Sequence, residues 1–286
     1  MGGQATGPDR KAVARAFRKV AAGYAAADFM HAEIRARLLE RLDLVSLQPA
    51  TILDLGAGPP EATAALAARY PQAHLLAIDL VPAMPGAAAQ PWDRICADAA
   101  ALPFASRSVD LVVAGMLLHW CEDPDAVLAE VRRVLRVPGL LLLTTLGPQT
   151  LRELRSAWGR VDQQPHTLSF TDMHNLGDAL IRAGFAEPVV DAENLTVTYR
   201  DTGRLVADLR GVGASDLGPR RRRSLTAPGR WRAMLQALEA GRSHDGNLHT
   251  TLEVLYGQAW TGDRGATRGE RGEVEISLER LRRRPP

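Results

Sequence analysis

Cysteine and lysine are scarce in this chain. Cys96 and Cys121 are the two cysteines among 286 residues, and they have no Cys-x-x-Cys spacing. Neither a disulfide scaffold nor a thiolate metal site is expected, and two isolated cysteines read as small core residues of a reducing compartment. Lys11 and Lys19 are the two lysines, so arginine carries nearly all the positive charge. Lysine and arginine number 35 against 33 acids, for a net charge of +2, and aromatics are 5%. A basic surface interleaved with aromatics, the footprint of nucleic-acid binding, is therefore not expected. The longest apolar runs, residues 111–118 and 139–143, fall well short of the roughly 20 residues needed to span a membrane, so no membrane partner is expected. No apolar leader stands at the N-terminus, and the expected compartment is the cytoplasm. The seven histidines have no His-x-x-x-His spacing, and no metal is expected.

What is present is ordinary globular composition, 46% hydrophobic and 24% charged. The length suits one large domain or a domain with a smaller lobe. After a polar leader, residues 9–44 show apolar positions at three- and four-residue steps, with Gly23 and Tyr24 separating two helices. From residue 50 the texture changes to strands alternating with helices. Strands are predicted at 51–55, 74–79, 94–97, 109–114 and 139–145, and helices at 60–70 and 125–136, with Asp123 or Asp125 as the cap of the second. This alternation implies an α/β fold with a mostly parallel, doubly wound sheet. Beyond residue 147, helices are predicted at 150–158, 171–183, 202–213 and 231–240. A period-two segment lies within 188–199, a long strand at 251–260, and a short strand is possible at 273–276.

Ligands of open α/β sheets bind beyond the carboxyl ends of the strands. Asp54 and Gly56-Ala57-Gly58 end the first predicted strand, Asp79 the second and Asp98 the third. Glycines allow a sharp turn and close backbone approach. An acid after the second strand can accept ribose hydroxyls, and one after the third can accept an adenine amine. A lone Gly-x-Gly is equally a tight turn, but three acids at three successive strand ends form a constellation. The run Gly56-Ala57-Gly58-Pro59-Pro60-Glu61 lacks the third glycine of a dinucleotide fingerprint, and Glu61 would face a pyrophosphate with the wrong sign. A cofactor bearing a sulfonium and an ammonium suits Asp54 and Glu61 better.

These motifs resemble the class I S-adenosylmethionine (SAM) methyltransferases: ILDLGAG at 52–58, AID at 77–79, ADAAALPF at 97–104 and LAEVRRVLRVPGLLLLTT at 128–145. GPQTLRELRSAW at 147–158, DMHNLGDALIRAGFAEPVVDAENLTVTY at 172–199, DLRGVGASD at 208–216 and TLEVLYGQAW at 251–260 resemble, more narrowly, the malonyl-acyl-carrier-protein O-methyltransferases of biotin synthesis. The resemblance implies a Rossmann-like seven-stranded sheet with N-terminal helices and a helical C-terminal insertion at 201–249. It divides the chain into N-terminal helices over the cofactor site (1–48), a SAM-binding core (49–147), completion of the sheet with the acceptor-site insertion (148–260) and an Arg/Gly-rich mobile tail (261–286). It implies S-adenosyl-L-methionine as cofactor, held by Asp54, Gly56, Ala57, Gly58, Asp79, Leu80, Asp98, Ala99 and Gly115. Two departures stand out. Pro60 replaces the usual third glycine, at a first helical position where proline is tolerated. Gly115 and His119 stand where the family often has Asn and Gln.

The implied acceptor is a free malonyl carboxylate, already ionised at neutral pH, so no general base is required. Donors must hold it instead. The candidates are Tyr24, His119, Trp120, Arg155, His166, Tyr199 and Arg210. The plainer alternatives are core packing for Trp120, a solvated helix face for Arg155, a loop cap for His166 and a sheet position for Tyr199. Carrier proteins are acidic, so the run Arg220, Arg221, Arg222 and Arg223 is a docking candidate, with a solvated loop as its alternative. The oligomeric state is left open. A carboxyl methyltransferase for another small acid is a second reading. A third is the more distantly similar complex I assembly factor family, associated with protein arginine hydroxylation, whose target would be a partner protein.

Overall fold

A computed structural model describes residues 7–81, 90–214, 217–218 and 224–262. The Arg220–Arg223 run, the 273–276 segment and the tail beyond residue 262 lie outside the described residues.

Helices α1 (Arg10–Val20) and α2 (Phe29–Glu40) precede β1 (Thr51–Leu55), joined by a 3-10 turn at Ala21–Ala26 around Gly23 and Tyr24. Then follow α3 (Pro60–Arg69), β2 (His74–Asp79), β3 (Asp93–Cys96), β4 (Val109–Ala114), α4 (Pro124–Val134) and β5 (Leu135–Leu146). The C-terminal part holds α5 (Arg152–Gly159), α6 (Met173–Arg182), β6 (Ala186–Tyr199), α7 (Thr202–Gly211), α8 (Pro228–Glu239) and β7 (Leu248–Thr261). The sheet runs β3-β2-β1-β4-β5-β7-β6. Its first five strands are parallel, and β7 is antiparallel to both β5 and β6.

The central strands are apolar on both faces, as a sheet covered by helices on both sides requires. Leu53, Leu55, Val112, Leu141 and Leu143 pack with Val127, Val131, Leu176 and Leu180 of α4 and α6. Their neighbours Ile52, Leu111, Val113, Leu140 and Leu142 face Ile34 and Leu38 of α2 and Leu66 of α3. Each of these strands therefore divides its side chains between two cores, with period two. A satellite core of Trp158, Tyr199, Leu205, Met234 and Leu238 joins α5, α7 and α8 to the ends of β6 and β7.

Several boundaries differ from expectation. The helix predicted at 125–136 stops at Val134, because Leu135 already pairs with Val109 in the sheet. Pro138 reinforces this, since the residue before a proline is held out of the helical region. Asp123, not Asp125, is the cap: its carboxylate accepts from Ala126 N at 3.1 Å. Strands β6 and β7 run 14 residues each, longer than their clearest alternating segments. Edge strand β6 carries Asp191 and Glu193, which pair with Arg41, just past α2, and with Arg37 of α2, and give this edge charge rather than a free apolar ladder.

Candidate active site

Strand β1 ends at Asp54 and Leu55, and the chain turns at Gly56 (φ +73°) and Gly58 (φ +55°), both in the left-handed region that favours glycine. A side chain at Gly56 would also meet Leu117 Cδ1 at 2.9 Å. Pro59 takes the cap position and Pro60 opens α3, so the proline that replaces the family glycine sits where its missing N–H costs nothing. At the end of β2, Asp79 braces the turn. Its Oδ2 accepts from Gly58 N at 3.0 Å and its Oδ1 from Val81 N at 2.8 Å. Asp54 is fully buried and accepts the Thr63 hydroxyl at 2.6 Å. Burial pushes its carboxyl up to about 6 and also raises that of Asp79. Beyond β3, Asp98 accepts from Ala100 N at 3.0 Å and pairs with the Arg10 guanidinium of α1.

These groups enclose a cavity of about 290 Å³. All the sequence-predicted cofactor residues, Asp54, Gly56, Ala57, Gly58, Asp79, Leu80, Asp98, Ala99 and Gly115, line it, as does Tyr24. Glu61 does not: it is exposed on α3 and absent from the wall, so the second acid expected near the ammonium is not there. The wall still carries five carboxylates, Asp54, Asp79, Asp98, Glu122 and Asp123, against Arg10 and Arg35. That excess of acceptors suits a nucleoside with a cationic tail and opposes a pyrophosphate. The residues present thus fit SAM.

A second cavity of about 100 Å³ shares His31, Met116 and Trp120 with the first. Its remaining wall is mostly apolar, with Met30, Leu151, Leu154, Phe170, Leu209 and Leu252, and includes His119 and His166. Helix α7 thus reaches this cavity through Leu209, and Val212 just beyond it also lines the wall. Met116 turns the chain between the cavities at φ +55°, an unfavourable region for a side-chain-bearing residue. Its N–H is held by Thr144 O and Thr144 Oγ1, both at 3.0 Å.

Of the acceptor candidates, Trp120 lines both cavities, Tyr24 the first, and His119 and His166 the second. His119 stands near Thr145 Oγ1 (3.2 Å) and Phe170, and burial pushes its pKa down to about 3, so it is neutral. His166 stacks on Trp158 with 3.6 Å between ring centroids, and its Nε2 lies 2.8 Å from Asp162 Oδ1. The structure does not bring Arg155, Tyr199 and Arg210 to either wall. The Arg155 guanidinium donates to the carbonyls of Pro148 and Thr150 and fastens the loop ahead of α5. Tyr199 is buried in the satellite core, and Arg210 is exposed above the Trp231 ring. Replacing Arg155 with methionine is expected to cost about 1 kcal/mol of stability, after allowing for its partial exposure, with SAM affinity unchanged. Chemical denaturation and ligand titration check the two halves.

Sequence reasoning missed His31, Asp28 and Arg35. The Tyr24 hydroxyl lies 2.9 Å from His31 Nδ1, and the rings are nearly parallel. Asp28 pairs with Arg35 at 2.9 Å and lies 3.5 Å from His31 Nδ1. The seven-residue step from Tyr24 to His31 was the available signal, but it crosses a 3-10 turn that the pattern did not resolve.

Residues 53–143 match the family described as a methyltransferase domain. Solved structures share the fold: the YcgJ protein of Bacillus subtilis, at 17% identity and TM-score 0.56, covers 79% of this chain and 98% of its own. A putative methyltransferase of Bacillus halodurans gives 15%, 0.55, 80% and 100%. Curated relatives extend the likeness. A malonyl-[acyl-carrier protein] O-methyltransferase of Gallionella capsiferriformans is 40% identical over 88% of this chain and 91% of its own length. One from Methylovorus is 43% identical over 88% and 89%, and one from Halorhodospira halophila 39% over 99% and 98%. These relatives set aside the assembly-factor reading. The chain belongs to the malonyl-[acyl-carrier protein] O-methyltransferase family.

Proposed function

We propose that this enzyme esterifies the free carboxylate of a malonyl thioester on acyl carrier protein, an early step of biotin synthesis, using SAM. The observation that carries the reading is the pairing of an acid-lined nucleoside cavity with a small, apolar, imidazole-bearing cavity sharing one wall. When bound, SAM supplies a methyl group on a sulfonium, open to in-line displacement. The protein's share is to bring the carboxylate to near-attack distance and strip it of water. The acceptor is already an anion, and neutral His119 is not needed as a base. The same wall explains product release: the ester carries no charge, and donors that hold a carboxylate lose most of their grip.

The carrier is expected to dock on a positive surface. The Arg220–Arg223 run remains the candidate: neutralising it should raise KM for the carrier-bound substrate severalfold and leave a small malonyl thioester unaffected. The compartment we assign is the cytoplasm; among the described residues no helix is long and apolar enough to cross a membrane. Intact-mass spectrometry of malonyl-loaded carrier, incubated with the protein and SAM, tests the function. One added methyl, absent from acetyl-loaded carrier, is expected. Methylation of both carriers, or of neither with SAM bound, overturns the proposal.

A further inference from the structure

We propose that His31 and His119 form a two-point imidazole clamp on the acceptor carboxylate, with Nε2–H donors approaching from two different elements. This inference rests on the function proposed above and names the groups that recognise its substrate.

Both rings line the second cavity, and His31 also lines the first, so the clamp stands at the junction where acceptor and methyl group must meet. The rings come from separate parts of the fold. His31 is on α2, and His119 is in the 3-10 turn Leu118–Trp120 that follows β4. Each ring is anchored through Nδ1. For His31 the anchor is the Tyr24 hydroxyl at 2.9 Å, and for His119 it is the Thr145 hydroxyl at 3.2 Å. Both hydroxyls can donate to Nδ1, and in the tautomer where they do the ring hydrogen is on Nε2. Burial raises the Tyr24 pKa and keeps its hydroxyl a donor. Should His31 take a second proton, Asp28 stands 3.5 Å from Nδ1 to pair with it. In that tautomer, and in the doubly protonated ring, Nε2 bears hydrogen. Neither Nε2 is bonded to another described residue. The two rings are near enough that a charge on His31 depresses the pKa of His119, so a carboxylate between them would be felt by both.

Other donors are committed elsewhere. His166 directs Nε2 to Asp162 and lies flat on Trp158. Arg155 grips two backbone carbonyls, and Arg35 pairs with Asp28. Among the basic side chains that line the second cavity, His31 and His119 are the two without a carboxylate on Nε2.

Steady-state kinetics on the full-length enzyme with malonyl-loaded carrier test the clamp. His31→Leu and His119→Leu should each raise KM about tenfold to a hundredfold, the range for a hydrogen bond to a charged group. His31→Gln, which keeps an N–H donor, should recover most of the loss. S-adenosylhomocysteine affinity, measured by calorimetry, should change less than threefold in all three variants. Binding of the methyl-ester product should be equally unmoved. An active wild type whose KM is unchanged in both leucine variants overturns the clamp alone. So does a glutamine variant as impaired as the leucine one, or a loss confined to S-adenosylhomocysteine. A wild type that binds S-adenosylhomocysteine but leaves malonyl carrier unmethylated overturns the proposed function, and the clamp with it.

Discussion

Asp79→Asn is expected to weaken S-adenosylhomocysteine binding by about a hundredfold and also to lower the unfolding midpoint of the ligand-free chain, where the brace it loses is already made. The side chain keeps its size but loses its symmetry. In the native enzyme both carboxylate oxygens accept backbone N–H groups, Gly58 at 3.0 Å and Val81 at 2.8 Å. An asparagine can offer its oxygen to one of them and must then turn its NH₂ toward the other, donor against donor. Hydrogen bonds to a charged acceptor contribute about 1.5–3 kcal/mol each. Loss of one brace and of the charged acceptor for the ribose together amounts to about 3 kcal/mol, or two decades of affinity. The glycine turn held by this carboxylate is the floor of the cofactor cavity, so the loss falls on binding as well as on the stability of the turn. Calorimetric titration checks it, and an affinity within threefold of wild type would remove Asp79 from the ribose-binding role.

This part of the site was legible in the sequence because its residues are local to strand ends. Asp54 lies near the end of β1, Asp79 ends β2 and Asp98 follows β3, and parallel pairing of β1 with β2 and of β2 with β3 carries them to the same edge. The turn glycines follow from chain geometry alone. The acceptor cavity is different: His31, His119, His166 and Leu209 are far apart in sequence and meet through packing of α2, the turn after β4, the loop after α5, and α7. No period or motif encodes that meeting. Arg155 and Tyr199 look like donors as residue types. The structure spends one on the carbonyls of Pro148 and Thr150 and packs the other against Leu205 and Trp158. Glu61 shows the same limit within a motif. It is close to the glycines in sequence, yet one helical turn directs it to solvent. The ladder of β6 begins at Ala186, ahead of the period-two segment within 188–199, because a register shift between Ala186 and Val189 breaks the alternation there.

Cofactor affinity should itself depend on pH through Asp54. Burial is the main reason its carboxyl titrates at about 6 rather than 3.8; the Thr63 hydroxyl and the more distant Arg35 and Arg94 favour the anion, while Asp79 disfavours it. In the ligand-free chain the folded state therefore holds this proton more tightly than the unfolded state does. The corresponding stability is fully present below 3.8, is lost as pH rises through about 6, and is level above that. A ligand ammonium in the same cavity reverses the preference, because it pairs with the anion and relieves an otherwise uncompensated buried charge. Below pH 6 binding must first remove the proton, so affinity should fall as the neutral fraction grows, by about tenfold between pH 7.5 and 5. SAM and S-adenosylhomocysteine should both show the fall, since both carry the ammonium. Asp54→Asn should bind more weakly at pH 7.5 and show a flat profile, while His31→Gln, altered on the same wall, should keep the slope. Titrations at several pH values in matched ionic strength read this directly. A slope that survives in Asp54→Asn would assign the proton to Asp79, whose carboxyl burial also raises and which the N–H groups of Gly58 and Val81 restrain.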